Sequence, residues 1–344
     1  MSEPFPPPQL APADHDVFEG RSIRWGFLGA GDVAGLMAQT IADVPGNEVV
    51  AVAARDSSRA AGFAQQWNVP ASYADYVGVC ADPNVDIVYI NTTHPHHHKQ
   101  AMMALDSGKH LLVEKPLTLN AAQATDVLHG ARDRGLFSME AMWMRTQPLI
   151  REVERLVGAG AIGDLVRVGV DFPVPFEYDP GHRLFDRTNG GGALLDLGVY
   201  GATFAWLLLG QPETVQVIGS LAPTGVDRVV SMQWGYSSGA TAGVYCTSQA
   251  SGPRRAVVMG RKGWISVEPD FAAAPNRAVV HIDGRPEQTL AMASRRYQHQ
   301  VEEVERCLRA GLLESPLVPH ADTIGILEIL DAARSELGVT YPQE

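Results

Sequence analysis

Gly29-Ala30-Gly31-Asp32-Val33-Ala34 stands between a short apolar run, Arg24 to Leu28, and a helix-patterned stretch to about Asp43. There the first glycine permits a tight turn and the second lets a pyrophosphate approach the backbone. Ala34 keeps the helix close to its sheet, so the helix N-terminus can receive phosphates. Glycines in such a turn can also serve the turn alone, and the rest of the chain decides between the two. Val49 to Ala54, Asp86 to Asn91, Leu111 to Glu114 and Leu136 to Glu140 read as buried strands. They alternate with helices over Ser57 to Trp67, with Ser57 as N-cap, over His97 to Ser107, and, capped by Asn120, to about Arg134. Such alternation predicts a parallel sheet with helical crossovers.

Beyond about Arg145 the rhythm changes. Val166 to Phe172, Thr214 to Ser220, Val229 to Gly235, Thr241 to Thr247, Arg255 to Met259 and Ala278 to Asp283 are strand-like runs separated by Gly, Pro or Ser, the pattern of an antiparallel sheet. Helices are expected at Ala193 to Leu209, Arg295 to Ala310 and from about Ala321. The expected fold class is therefore α/β, in three parts: a Pro-rich arm over residues 1–20, a dinucleotide-binding Rossmann domain over 21–145, and an α+β substrate and oligomerisation domain over 146–344.

At 344 residues and 45% hydrophobic, the chain can build two such cores. A formal charge of −12 argues against a nucleic-acid or anionic-membrane surface. Apolar stretches broken by Gly, Pro or charge predict no segment of the ~20 residues needed to span a bilayer. The first 20 residues hold prolines and acids but no Lys or Arg, unlike a secretory signal. Cys80, Cys246 and Cys307 are scattered, as expected of reduced packing thiols. The expectation is a cytoplasmic protein.

Nucleotide type should be written where the second strand ends. The acid of an NAD site is replaced by Ala54, followed by Arg55, with Ser57 and Arg59 available to a 2′-phosphate, which favours NADP. The alternative, with Arg55 solvated and Asp56 on the ribose, would favour NAD. The run Asn91-Thr92-Thr93-His94-Pro95-His96-His97-His98 invites a metal reading, but its side chains fan out at ~100° intervals once the helix starts. No Cys or acid nearby completes a ligand set, so no metal is expected, and Thr92, His94 and His97 fall instead in a loop lining the cofactor crevice. The next strand delivers Glu114-Lys115-Pro116 to the same sheet edge. Arginines outnumber lysines 23 to 4, so a lysine there is not interchangeable surface charge, and its ammonium can hold a substrate hydroxyl. Finally, Gly190-Gly191-Gly192 feeds a helix on which Asp196 and Tyr200, four residues apart, share a face at α pitch. Read alone, that pair is more often a helix-surface hydrogen bond; the glycine run would let the loop approach a ligand.

GAGDVA, EKP and GGGALLDLGVY in this order resemble the Gfo/Idh/MocA oxidoreductase family over about residues 22 to 340. AVAARD, His94-Pro95, Glu140-Ala141-Met142-Trp143, His182-Arg183-Leu184-Phe185-Asp186 and Tyr200 point to its branch of NADP-dependent dihydrodiol dehydrogenases, xylose dehydrogenases and glucose–fructose oxidoreductase. The resemblance implies an open, mostly antiparallel second sheet through which a homodimer or higher homo-oligomer forms. It implies NADP as cofactor, and reversible hydride transfer to or from a secondary alcohol or hemiacetal of a sugar or cyclic diol. It also implies a cis Lys115-Pro116 peptide, Lys115 on the reacting hydroxyl, Tyr200 exchanging its proton, Asp196 positioning substrate, and Trp143 and Arg145 bordering the nicotinamide. A redox-neutral NAD-dependent glycosidase and a non-catalytic nucleotide or sugar sensor are the alternatives on this fold.

Overall fold

The computed structural model describes residues 18–268, 270–272 and 274–344, so the Pro-rich arm lies almost wholly outside the described residues. One compact unit runs to Ala141 and takes in Tyr297–Ile324; the other is Met142–Arg296 with Gly325–Glu344.

In the first unit, strands β1 (Ile23–Leu28), β2 (Asn47–Ala53), β3 (Ala71–Tyr73), β4 (Ile87–Ile90), β5 (His110–Val113) and β6 (Ser138–Glu140) pair in parallel in the order β3-β2-β1-β4-β5-β6. The connecting helices are α1 (Asp32–Asp43), α2 (Ser57–Trp67), α3 (Tyr76–Ala81), α4 (His97–Asp106) and α5 (Ala121–Asp133). This doubly wound order reverses direction between β1 and β4, and the crevice outside their carboxyl ends is where such sheets take ligands. β4 is buried along its whole length, as a strand covered on both faces must be. Asn120 caps α5 by accepting from the Gln123 amide, as expected. For α2 the cap is one residue earlier than expected: Asp56, not Ser57, accepts from the Ser58 amide.

The second unit opens with α6 (Pro148–Gly158) and β7 (Leu165–Pro173), followed by a π-helical turn over Leu194–Gly198 that runs into α7 (Val199–Leu209). Then come β8 (Thr214–Leu221), β9 (Asp227–Gly235), β10 (Thr241–Thr247), β11 (Arg255–Gly260), β12 (Gly263–Val267), β13 (Arg277–Ile282) and β14 (Gln288–Ala291). The eight strands order as β14-β13-β12-β11-β7-β10-β9-β8, all antiparallel except the β7–β10 pair. α7 packs on β7 and β10, and Gly201 makes the contact close: a Cβ there would lie 2.8 Å from Val244.

Two expectations need correction. The helical run Arg187–Leu209 is long and apolar enough to cross a membrane, against the expectation that no segment is. Its most apolar stretch is 78% buried inside the protein, so its apolarity serves the sheet it covers. The chain also returns to the first unit after Arg296. Helix α8 (Gln298–Arg309) packs on α1, and Glu305 accepts from the Asn47 amide at 2.8 Å while Asn47 accepts from the Trp25 indole at 2.9 Å. Residues 297–324, expected in the second domain, are held by these contacts to the first. Helix α9 (His320–Leu337) then leads back into the second unit.

Candidate active site

In the first unit the site begins at Gly29, whose φ of +121° is closed to ordinary L residues and where a Cβ would collide with the buried Asn91 amide. Gly31 differs. It is the N-cap of α1, gives the helix no side-chain cap, and a Cβ added there would meet nothing within 4 Å. The protein does not need that glycine for its own packing, so the space beside the helix N-terminus, with Asp32 and Val33 exposed and Ala34 buried beneath, suits a phosphate group approaching the backbone.

At the end of β2, Ala54 is buried and Arg55 exposed. Arg59 reaches back across the glycine loop to the Ala30 carbonyl at 3.5 Å. Asp56 is spent on its helix: one oxygen accepts from the Ser58 amide at 2.8 Å and from the Ser58 hydroxyl at 2.7 Å, bonds that hold its carboxyl below the ordinary range. This disfavours the alternative in which Asp56 takes a ribose. Burial, with help from Arg55 and Lys99, pushes the His96 imidazole below its usual pKa, which favours its neutral form.

The histidines separate. His97 is fully buried between the carbonyls of Thr92 and Pro116, each 3.1 Å from a ring nitrogen, and burial lowers its pKa. His94 packs edge-on against it at 5.8 Å, and His98 turns to Asp126 at 2.6 Å. Among the described residues no group of three or more His, Cys, Asp or Glu is placed to hold a metal. Thr92 donates to Gln100 at 2.6 Å. His97 therefore ties the Thr92 loop to the peptide after Lys115, and the Lys115-Pro116 bond is cis. Glu114 steadies the same corner, accepting from the Tyr89 hydroxyl at 2.6 Å and the Lys115 amide at 3.2 Å. Glu140 accepts from the Leu117 amide at 3.1 Å.

In the second unit, Tyr200 is 8% exposed and its hydroxyl oxygen accepts from the Trp143 indole at 3.0 Å, while its ring meets Phe172 edge-on at 5.5 Å. A donor fixed on a phenol oxygen steadies that oxygen when its proton is away. Trp143 and Arg145 share the 3₁₀ turn Trp143–Thr146 and are both buried. Asp196 is 5% exposed and both its oxygens sit 3.2 Å from the Arg183 guanidinium. Arg183 carries no role in the sequence reading. Its signal was the His182-to-Asp186 run, but a partner thirteen residues away across an aperiodic loop leaves no spacing rule to find it.

The glycine run has a packing requirement of its own. A Cβ on Gly191 would lie 2.6 Å from the Leu184 carbonyl, and one on Gly192, at φ +127°, would collide with Asp227. These glycines fit the turn against its own protein. The spacing of Asp196 and Tyr200 predicts α pitch, but Leu194–Gly198 winds at the wider π pitch, a feature that sequence periodicity does not reveal.

Comparison with known proteins identifies the family. The model of an oxidoreductase family with an NAD-binding Rossmann fold, GFO_IDH_MocA, matches residues 23–141, and that of the GFO/IDH/MocA C-terminal domain matches residues 150–266. The chain is 36% identical over 335 residues to trans-1,2-dihydrobenzene-1,2-diol dehydrogenase of Mus musculus, covering 94% of this chain and 99% of the relative. Among solved structures, aldose-aldose oxidoreductase from Caulobacter crescentus complexed with glycerol superposes with a TM-score of 0.83 at 25% identity, covering 92% of this chain and 98% of that one. A 3-ketoreductase from Actinomadura kijaniata with NADP and TDP-benzene shares the fold, with a TM-score of 0.82 at 24% identity and the same coverage.

Proposed function

Because the chain belongs to the Gfo/Idh/MocA oxidoreductase family, we propose that it is an NADP-dependent dehydrogenase acting reversibly on a secondary alcohol or hemiacetal of a sugar or cyclic diol. Its buried phenol carries the reading: Tyr200 is held at its oxygen by Trp143, on a helix that also presents the Arg183-paired Asp196. A nucleotide sensor has no use for a proton carrier held in this way.

The first unit fits the nucleotide. Gly29, Gly31 and the uncapped start of α1 would receive the pyrophosphate, and Arg55, Ser57 and Arg59 the 2′-phosphate that distinguishes NADP. When bound, NADP supplies a two-electron hydride acceptor or donor. In the oxidative direction the substrate carbon gives up its hydride, the O–H bonding pair becomes the second bond of the carbonyl, and Tyr200, acting as the phenolate, takes the proton and becomes the neutral phenol. Lys115, anchored through Glu114 and the His97 bridge, holds the reacting hydroxyl. Asp196, with both oxygens on a guanidinium, orients substrate instead of taking the proton.

A homo-oligomer formed through the second unit's sheet belongs to the same proposal. The row Ile218–Ser231–Tyr245–Asp171–Arg255 runs across four strand pairings, and Ile218 is 79% exposed.

The test is absorbance of reduced nicotinamide with NADP and with NAD across aldoses, anhydrosugars and trans-dihydrodiols. The expected result is reduction of NADP by a subset of these; no reduction of either nucleotide across the panel would overturn the reading.

A further inference from the structure

The helix that carries Asp196 and Tyr200 has no cap of its own: Ala193 stands at the N-cap and offers no side-chain hydrogen bond. The cap comes from another strand. Asp227, the first residue of β9 and 1% exposed, accepts from the Leu194 amide at 2.6 Å through Oδ2. Its other oxygen, Oδ1, has no hydrogen-bond partner among the described residues and lies against Gly192, where only a glycine leaves it room.

Leu194 is also the first residue of the π turn. A π turn is an α-helical turn with one residue too many, and relaxing it to α pitch rotates one side relative to the other by one position, about 100°; with α7 held on β7 and β10, the side that turns is the N-terminal one. Asp196 lies inside the turn and Tyr200 beyond it, so such a relaxation would swing the first and leave the second in place. We propose that Asp227 is a positioning residue: by holding Leu194 it fixes the π turn and thereby keeps Asp196 in register with Tyr200. The inference rests on the reading of Tyr200 as the proton carrier.

The surroundings suit a fixed anchor. The Tyr341 hydroxyl donates to the Gly191 carbonyl at 2.6 Å, and Arg334 lies over the Tyr341 ring at 4.8 Å while pairing with Asp331 and Glu344. Asp227 thus lies within electrostatic reach of Arg334, Tyr341 and Cys246 of β10. Burial pushes its carboxyl up to about 6 against the pull of the Leu194 amide and Arg334. Neutral or charged, a carboxyl oxygen can accept from Leu194, so the acceptor rather than the charge does the positioning. An amide in its place should do the same.

The experiment compares Asp227→Ala, Asp227→Asn and Gly192→Ala with the unmodified enzyme on its best substrate, with NADP affinity and melting temperature measured alongside. Asp227→Ala should lower kcat/KM by about 10- to 100-fold in folded protein whose NADP affinity is within twofold of normal. Asp227→Asn should stay within about threefold of normal and melt no lower at pH 8. Gly192→Ala, which displaces the carboxylate, should resemble Asp227→Ala and decides the matter if that variant does not fold. An Asn variant as slow as the Ala variant, or a folded Ala or Gly192→Ala variant with normal kcat/KM, overturns the inference while the unmodified enzyme still turns over. An inert unmodified enzyme overturns the reading of Tyr200, and this inference with it.

Discussion

One oxygen atom separates tyrosine from phenylalanine, and at position 200 that atom is expected to carry the proton. Tyr200→Phe keeps the ring against Phe172, so folding and NADP binding should survive, with a modest loss of stability because the Trp143 indole loses its bond to the Tyr200 oxygen. General acid–base catalysis is worth about 10²- to 10⁴-fold, and kcat should fall by that much, measured where a deuteride isotope effect shows that chemistry limits the rate. Lys115→Ala should do comparable damage, and the double variant little more than either alone, because residues that act on one proton transfer are not additive. Arg55 tests the nucleotide. NADP should bind at least tenfold more tightly than NAD, about 1.4 kcal/mol, and Arg55→Ala should erode mainly that difference in titrations with the two nucleotides. Equal affinities in the unmodified protein would sink the assignment. At this scale the sequence reveals what backbone geometry demands: the Gly29 turn and the open space at Gly31 can be read because they need no distant partner. Arg183 and Asp227 cannot, since each acts through a residue that only the folded chain brings near.

Secondary structure was legible where a single period runs uninterrupted. Helix α2 and strand β10 have the ends their patterns predict, and the parallel strands differ by a residue or two. The short strand β3, the edge strand β14 and the one-and-a-half-turn helix α3 escape notice because so few residues cannot establish a period. Helix α6 begins at Pro148 in the stretch where the pattern changes from α/β to antiparallel sheet, and was hidden by that change. An element-scale prediction concerns the start of β5. His110 accepts from the Phe137 amide at 2.9 Å through Nδ1, so its ring must stay neutral for β5 to hold the approach to β6. Burial lowers its pKa to about 4. Because the folded value lies below the unfolded one of about 6.5, the unfolded chain binds the extra proton first, and stability is lost as pH falls from about 6.5 toward 4. The urea midpoint should drop between pH 7 and pH 5 by the equivalent of about 1 to 2 kcal/mol. His110→Asn, which keeps an acceptor and does not titrate, should make that slope shallower, the remainder belonging to other buried histidines such as His97, whose pKa burial also lowers; an unchanged slope would acquit His110.

At the scale of the whole molecule, alternation of strands and helices followed by runs of strands announces two kinds of sheet, but not the return of residues 297–324 to the first unit. That return depends on contacts such as Glu305 with Asn47, 258 residues apart, which no local pattern encodes. The second sheet raises the last question. α7 covers one of its faces through β7 and β10. The opposite face carries Tyr245 and Arg255 around a hollow of about 400 Å³, with Met259 beside it and the exposed Ile218 in the Tyr245 row. A sheet face mixing apolar side chains with charges of both signs can meet its own copy about a two-fold axis, each Arg255 or Arg167 finding an acid such as Asp171 across the interface. On the proposed reading, light scattering at micromolar concentration should give at least twice the 37.0 kDa of one chain. Tyr245→Glu, which sets a new charge in the middle of the row without touching the residues assigned to chemistry, should shift the mass toward the monomer and leave NADP affinity within about twofold. A protein that is monomeric before any substitution would show that this face meets only solvent, and the hollow beside Arg167 would then be a surface feature without a partner.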